Sequence, residues 1–188
     1  FKKKNYYNLG SIEDLDLKGN KLKSNKALNN ICGIIGIGLN YLRKKISNDI
    51  NKLNKKFKWE IIKSSASIIN KNVKIGDGSL IMPGVVVNPG TIIGKHCIVN
   101  TSSSIDHDNR FKDFSSCGPG VITGGNVNLG ELSHIGIGSV VKNNIKIGYN
   151  SVIGGNSFVN KNCGNDHFFY GTPIKKLKKK LIKDNYLK

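Results

Sequence analysis

His107 is the residue of this sequence whose surroundings best suit acid–base chemistry. It lies in the run Asn100-Thr101-Ser102-Ser103-Ser104-Ile105-Asp106-His107-Asp108 and has a carboxylate on each side. A neighbouring negative charge favours the imidazolium that forms when histidine accepts a proton, so His107 could serve as a general base. A surface histidine among polar residues would give the same spacing, and the spacing alone leaves both interpretations open.

The other histidines and the cysteines indicate no second kind of chemistry. The four histidines lack the closely spaced pair that the zinc site of a γ-type carbonic anhydrase requires: His96, His107, His134 and His167. The cysteines have neither metal-like spacing nor a histidine partner in sequence: Cys32, Cys97, Cys117 and Cys163. We therefore expect no metal ion, and reduced thiols that contribute to packing.

A six-residue repeat is the element that must position His107. Every sixth residue from Ile69 to Val159 is apolar except Thr123, and apart from Cys117 the apolar ones are large: Ile69, Ile75, Ile81, Val87, Ile93, Val99, Ile105, Phe111, Cys117, Leu129, Ile135, Val141, Ile147, Ile153 and Val159. The next residue is usually Gly or Asn, and the residue two places earlier is usually small or β-branched.

A six-residue period fits a short strand and a corner, because the helical period of about 3.6 residues would spread these positions around a helix. We expect the apolar residue to point inward and the following Gly or Asn to give the corner its backbone freedom. Such repeats are typical of a parallel β-helix. A β-sandwich is the alternative, and the unbroken register disfavours it. Since Ile105 keeps the register, His107 falls at a corner and projects outward.

Residues 1–62 and 164–188 lie outside the repeat domain, residues 63–163. We interpret residues 1–62 as a small α/β unit with strands near residues 6–12, 31–37 and 57–61. Its helix has an apolar face of Leu42, Ile46, Ile50 and Leu53, and Arg43, Lys44 and Lys45 are expected to face solvent. For residues 164–188 we expect a loop and a short basic helix.

The net charge of +18 over 188 residues does not by itself indicate a nucleic-acid-binding protein. The lysines are spread along the chain, with no RNA-binding motif and no stacking aromatics between them, so we expect no nucleic-acid partner. A phosphorylated ligand needs far fewer cations. No apolar run is long enough to span a bilayer and the start carries no secretory signal, so we expect a cytoplasmic protein without membrane insertion.

Three segments resemble the bacterial sugar acetyltransferases of the NeuD/PglD group: "NTSSSIDHD" (100–108), "GGNVNLGELSHIGIGSVV" (124–141) and "YGTPIKKL" (170–177). The likeness extends to "IEDLDLKG" (12–19) and "GIGLNYLRKKI" (36–46). It implies a left-handed β-helix behind a Rossmann-like unit, and a homotrimer with active sites between subunits. It also implies transfer of an acetyl group from acetyl-CoA to a nucleotide-linked amino sugar in the synthesis of surface glycans or glycoprotein sugars.

The resemblance implies roles for individual residues. His107 matches the base, Asp108 the acidic residue that raises its basicity, and Asn100 an active-site asparagine. Gly125 matches a glycine whose N–H faces the thioester oxygen. Acetyl-CoA binding is implied for Ser116, Gly136, Ile137, Gly138, Gly154 and Gly155. Binding of the nucleotide sugar is implied for Glu13, Asp14 and Gly38.

The sequence departs from the group's pattern in three places. Ser116 stands where some members carry a second active-site histidine, and Tyr41 replaces an acidic residue expected beside the nucleotide sugar. The opening strand and glycine-rich phosphate loop of the group have no counterpart in this sequence, so we expect a truncated α/β unit. O-acetylation of sialic acid or of another sugar hydroxyl stays the alternative to N-acetylation.

Overall fold

The structure, a computed structural model, describes residues 32–187. The expected strand over residues 6–12 and the candidate substrate residues Glu13 and Asp14 lie outside the described residues. The described part of the N-terminal unit is a pair of short parallel strands and one helix: β1 (Cys32–Gly33), α1 (Asn40–Leu53) and β2 (Lys58–Trp59). The expected helix is therefore confirmed, whereas a Rossmann-like unit is not.

From Ile62 onward the chain forms a three-sided parallel β-helix of about six coils. Each coil adds one strand to each of three sheets. Strands paired within a sheet are one coil apart, and one coil is 18 residues, the separation of the paired residues Ser116 and His134. The expected parallel β-helix is confirmed.

The three sheets are named here by what lies on their outer surfaces. The covered face, on which α1 packs, consists of β3 (Ile62–Lys63), β6 (Leu80–Ile81), β9 (Ile98–Val99), β12 (Ser116–Cys117), β15 (His134–Ile135), β18 (Val152–Ile153), β20 (His167–Tyr170) and β21 (Lys175–Lys179). The apolar face consists of β4 (Ile68–Ile69), β7 (Val86–Val87), β10 (Ser104–Ile105), β13 (Ile122–Thr123), β16 (Val140–Val141) and β19 (Phe158–Val159). The polar face consists of β5 (Lys74–Ile75), β8 (Ile92–Ile93), β11 (Arg110–Phe111), β14 (Asn128–Leu129) and β17 (Lys146–Ile147).

The six-residue register forms the core of the β-helix. Ile93, Ile105 and Ile135 are each at most 1 % exposed, which confirms the predicted inward orientation. The small residues two places earlier are buried beside them, and most of their hydroxyls donate to backbone carbonyls, as Ser103 Oγ does to that of Gly118 at 3.1 Å. Because these hydroxyls are satisfied, the core can hold them without leaving a buried polar group unpaired.

The corners differ from expectation in one respect. The left-handed backbone position lies three residues after each core residue, as at Asp108 (φ 59°) and Gly138 (φ 66°), rather than at the Gly or Asn directly after it. The directly following glycines serve a different purpose, since a Cβ on Gly136 would lie 2.6 Å from the nitrogen of Gly155 in the next coil. Neighbouring coils therefore approach too closely for a side chain there.

Arg43 attaches α1 to the β-helix, and the expectation that it faces solvent is wrong. The side chain is fully buried, with Nε donating to the carbonyl of His96 at 2.7 Å and Nη1 to that of Ile37 at 2.7 Å. Nη2 donates to Asn40 Oδ1 at 2.6 Å and to the carbonyl of Phe114 at 3.1 Å. A guanidinium has enough donors to satisfy all these acceptors at once, which is why this helix turns a charged residue inward.

The C-terminal segment forms strands where a loop and a basic helix were expected. β20 pairs with β18 in parallel, and β21 pairs with β20 in antiparallel order, so the exposed edge of the covered face supplies backbone partners that a helix would not use. The tail beyond β21 then returns to α1, where the hydroxyl of Tyr186 accepts a hydrogen bond from the backbone N–H of Asn40 at 3.0 Å. The predicted helix over this segment is therefore wrong.

Candidate active site

His107 and Asp108 form an exposed pair at the corner between the apolar and polar faces. Nδ1 of His107 lies 2.9 Å from Oδ2 of Asp108, and both side chains are more than half exposed. A carboxylate can only accept, so Nδ1 carries the proton and Nε2 keeps a free lone pair. The hydrogen bond that Nδ1 donates to Asp108, followed by the negative charge of Asp106, raises the pKa of His107. This arrangement makes Nε2 an accessible base.

Gly125 lies at the same corner one coil later, directly beneath the imidazole of His107. A Cβ on Gly125 would be 2.5 Å from Nε2 and 2.6 Å from Cε1 of His107. Among the described residues the N–H of Gly125 donates to no partner. A free lone pair and an unpaired N–H therefore belong to neighbouring residues at this corner.

Asn109 holds the backbone of this corner, and the sequence analysis did not single it out. It is fully buried, and Nδ2 donates to the carbonyls of Asp106 at 2.6 Å and Gly124 at 3.0 Å. Its Oδ1 accepts from the N–H of Val127 at 3.2 Å. An available signal was its position two residues before a core residue, a place that the repeat otherwise gives to small or β-branched side chains.

A cavity of about 350 Å³ follows the corner between the covered and apolar faces. It is bordered by most of the residues that the sequence implied for the donor, by the candidate catalytic residue Asn100 and by Gly38: Gly38, Asn100, Ser116, Gly136, Ile137, Gly154 and Gly155. Gly138 lies at the same corner but does not border the cavity. A larger opening of about 750 Å³ at the amino-terminal end of the β-helix contains none of the predicted residues.

Ser116 is less available to a ligand than the sequence suggested. It is 3 % exposed, and its hydroxyl donates to Asn40 Oδ1 at 2.9 Å and lies 2.8 Å from Nδ1 of His134. Sequence reasoning missed His134 and Tyr186, which border the cavity, and Asn40, which contacts Ser116 in its wall, because they come together from β15, the tail and α1. No local pattern in the sequence relates these three positions.

The predicted catalytic and donor residues lie at two different corners of the β-helix. His107, Asp108 and Gly125 follow strands of the apolar face, whereas Asn100, Gly136 and Gly155 follow strands of the covered face: β10 and β13 precede the first group, and β9, β15 and β18 precede the second. The apolar face separates the two groups. Within one chain the structure does not bring them together.

The outer surface of the apolar face carries an exposed hydrophobic ladder. One residue per coil lies on it, all of them apolar except Ser104, in the order of strand pairing: Ile68, Val86, Ser104, Ile122, Val140 and Phe158. Ile68 is 59 % and Ile122 49 % exposed, whereas the polar face presents Lys74, Arg110 and Lys146 at the equivalent positions. Contiguous exposed apolar surface of this kind marks an interaction site.

Two classes of feature are absent from residues 32–187. No group of three or more His, Cys, Asp or Glu side chains there is arranged to hold a metal ion. No helix in this part of the chain has the length and apolar character needed to cross a bilayer.

The comparisons with known proteins agree with this geometry. The family described as bacterial transferase hexapeptide (six repeats) matches residues 72–107. The acetyltransferase domain of PglB from Neisseria gonorrhoeae has 26% identity over 83% of this chain and 75% of that chain, with a TM-score of 0.79. The same domain in complex with acetyl coenzyme A matches at 27% identity over 77% and 69%, with a TM-score of 0.73.

A second similar protein is a GDP-perosamine N-acetyltransferase from Caulobacter crescentus. Its structure with CoA and GDP-perosamine has 26% identity over 78% of this chain and 70% of that chain, with a TM-score of 0.76. A histidine-to-alanine variant of that enzyme, also with CoA and GDP-perosamine, matches at the same identity and TM-score. With its β-helix and its matching repeat, the chain described here is similar to sugar acetyltransferases that carry the hexapeptide repeat.

Proposed function

We propose that this protein transfers an acetyl group from acetyl-CoA to the amine of a nucleotide-linked amino sugar, with His107 as the general base. The observation that carries the proposal is the free Nε2 of His107, whose ring is held at Nδ1 by Asp108 and lies against Gly125, a residue with an unpaired N–H. The similar proteins from Caulobacter and Neisseria support this reaction, since their structures contain CoA with GDP-perosamine, or acetyl-CoA. Use of acetyl-CoA also favours a cytoplasmic location.

The two free groups at the corner match the two needs of acetyl transfer to an amine. A sugar amine attacks the thioester only as it loses a proton, and Nε2 of His107 takes that proton. Asp108 stabilises the imidazolium that results, because its carboxylate accepts the hydrogen bond from Nδ1. The N–H of Gly125 donates to the oxygen that becomes negative in the tetrahedral intermediate. When this intermediate collapses, the carbon–sulfur bond breaks and the CoA thiolate leaves.

The donor would bind in the cavity at the corner between the covered and apolar faces. Glycines at this corner let a long, narrow ligand lie against the backbone. Ile137 is 60 % exposed beside it and offers apolar contact. We place the pantetheine arm along Gly136, Ile137 and Gly155, with Asn100 and Gly138 at the same corner and Gly154 and Ser116 in the wall.

We also propose that the active enzyme is a homotrimer with each active site between two copies. If three copies pack their apolar faces around a threefold axis, the hydrophobic ladder is buried. The two corners that flank this face then meet across each interface. The His107 corner of one copy would face the donor cavity of the next, which completes a site that one chain leaves divided.

The nucleotide sugar would approach from the side of α1. Gly38 precedes this helix and borders the donor cavity, so its location fits a substrate that lies beside the donor. Glu13 and Asp14 remain our candidates for contacts to the nucleotide.

The test is an acetyl-transfer assay with the purified protein. Release of free CoA thiol should require both acetyl-CoA and an amino sugar linked to a nucleoside diphosphate, with the N-acetyl product identified by mass spectrometry. Sialic acid and the matching nucleotide sugar with a hydroxyl in place of the amine serve as controls. Turnover with sialic acid and none with any nucleotide amino sugar would replace the proposed N-acetylation by O-acetylation.

A further inference from the structure

His134 is a buried titratable residue in the donor cavity that the reaction above does not use. It borders the cavity and is 9 % exposed. Nδ1 is engaged by Ser116 at 2.8 Å. Nε2 has no hydrogen-bond partner within residues 32–187, yet it is not a fully enclosed atom. Nε2 of His134 is therefore available to form a hydrogen bond with a ligand.

The orientation of the Asn40 amide fixes where the protons of this cluster lie. Asn40 Nδ2 donates to the carbonyls of Leu132 at 3.2 Å and Ser133 at 2.9 Å, and Oδ1 accepts from Arg43 Nη2 at 2.6 Å. Ser116 has a single hydroxyl proton, and it donates that proton to the same Oδ1 at 2.9 Å. The oxygen of Ser116 is consequently an acceptor toward His134.

The tautomer of His134 follows from these contacts. Nδ1 must carry the proton that is donated to Ser116, so Nε2 presents a lone pair. Burial, together with the charge of Arg43, lowers the pKa of His134 to about 4, so the ring stays neutral near pH 7. The ring of Tyr186 packs against it with centroids 4.9 Å apart, which fixes the plane of the imidazole.

We propose that Nε2 of His134 accepts a hydrogen bond from an amide N–H of the pantetheine arm of the acyl donor and so positions the arm in the cavity. This inference rests on the proposed use of acetyl-CoA. The pantetheine arm carries secondary amides whose N–H groups need an acceptor when they leave water. His134 is thus a positioning residue for the donor, at a different corner from His107, and it exchanges no proton with the substrate.

The first test compares His134→Phe with His167→Phe. Phenylalanine keeps the ring beside Tyr186 but removes both nitrogens, and His167 is a histidine of β20 that does not border the cavity. We expect His134→Phe to raise the KM for acetyl-CoA and the Kd for CoA about 5- to 30-fold, as for one lost hydrogen bond. Turnover at saturating donor should change less than about 2-fold, and His167→Phe should match the wild type.

The second measurement needs no substitution. In the wild-type protein labelled with nitrogen-15 histidine, long-range proton–nitrogen spectra should show His134 neutral at pH 7 with the proton on Nδ1. Addition of CoA should move the Nε2 resonance in the direction of an accepted hydrogen bond. An Nε2-protonated tautomer, or an Nε2 resonance unchanged at saturating CoA, would overturn the proposal, as would unchanged CoA affinity in folded His134→Phe.

The outcomes separate this inference from the proposed function. Wild-type protein that binds CoA and transfers acetyl groups, with the His134 variant equal to it, rejects the role of His134 alone. Wild-type protein with no affinity for CoA rejects both.

Discussion

The imidazole of His107 lies over the backbone of Gly125 so closely that a Cβ on Gly125 would stand 2.5 Å from Nε2. The two residues are neighbours in space because they occupy the same corner in successive coils, where Asn126 N–H donates to the carbonyl of His107 at 2.9 Å. The register that places Ile105 in the core thus also places a base above an N–H donor.

Gly125→Ala should impair turnover because the new methyl group would push the imidazole away from the reacting amine. A displacement of about 1 Å can cost on the order of 10²-fold in rate, and we expect a kcat loss of that size with little change in CoA affinity. Gly164→Ala is the control, since a Cβ there meets nothing within 4 Å. Wild-type kcat in folded Gly125→Ala would show that His107 does not need its present position.

Asp108→Asn should shift the pH dependence of the reaction. The hydrogen bond that His107 donates to the carboxylate of Asp108 is the main cause of the raised pKa of His107, so replacing this charged acceptor by a neutral amide should lower that pKa. The base must be neutral to act, and the acid limb of kcat/KM should therefore move to lower pH while the plateau rate falls. Asparagine tolerates the left-handed backbone at this position (φ 59°), so the fold should persist. An acid limb that moved upward or stayed in place would contradict this role.

The corner position of His107 could be predicted from the sequence. A six-residue period determines which side chains are buried, and the residues that follow each buried side chain must then lie at a corner. The same reasoning placed the residue with left-handed backbone wrongly. It explained the glycine directly after each core residue by the backbone freedom that a corner needs, whereas the positive φ occurs two residues later. At Gly136 the requirement is instead the nearness of Gly155 in the next coil, a contact between coils that local sequence rules do not contain.

The inward turn of Arg43 could not be predicted either. Its acceptors include carbonyls of His96 and Phe114, which are distant in sequence and become available only after the β-helix has formed. The division of the candidate site between two corners likewise depends on the three-sided winding. β21 adopts a strand because β20 provides an open edge, although its lysines alone would be compatible with a helix.

Mixing two inactive variants should restore activity if each site is shared between copies. His107→Ala removes the base, and Gly155→Trp blocks the donor cavity at the other corner. In trimers reassembled at equal ratio, about one quarter of the sites would combine an intact His107 with an intact neighbouring cavity, by random assortment around a cyclic interface. Neither variant alone should exceed background. If verified mixed trimers recovered no activity, His107 and the donor cavity would have to act within the same chain.

The free energy of unfolding should fall as the pH drops from about 6.5 toward 4. Burial lowers the pKa of both His96 and His134 to about 4, so between these pH values the unfolded chain binds protons that the folded chain does not. Each histidine contributes up to about 1.4 kcal/mol per pH unit in this window. Chemical denaturation across the window measures the slope, and His96→Phe should make it shallower. A slope unaffected by that substitution would show that His96 does not contribute to the pH dependence of the free energy of unfolding.

The most direct test of the central claim is the rate of acetyl transfer by His107→Ala, measured beside His167→Ala with the nucleotide amino sugar that the wild type prefers. A positioned general base contributes about 10²–10⁴-fold, so His107→Ala should lose kcat on that scale while its Kd for CoA, measured by calorimetry, stays within about 2-fold of the wild type, because His107 lies outside the donor cavity. His167→Ala should keep wild-type kcat. Near wild-type turnover by His107→Ala across the pH range would contradict the account and leave His107 an exposed histidine at a corner of the β-helix.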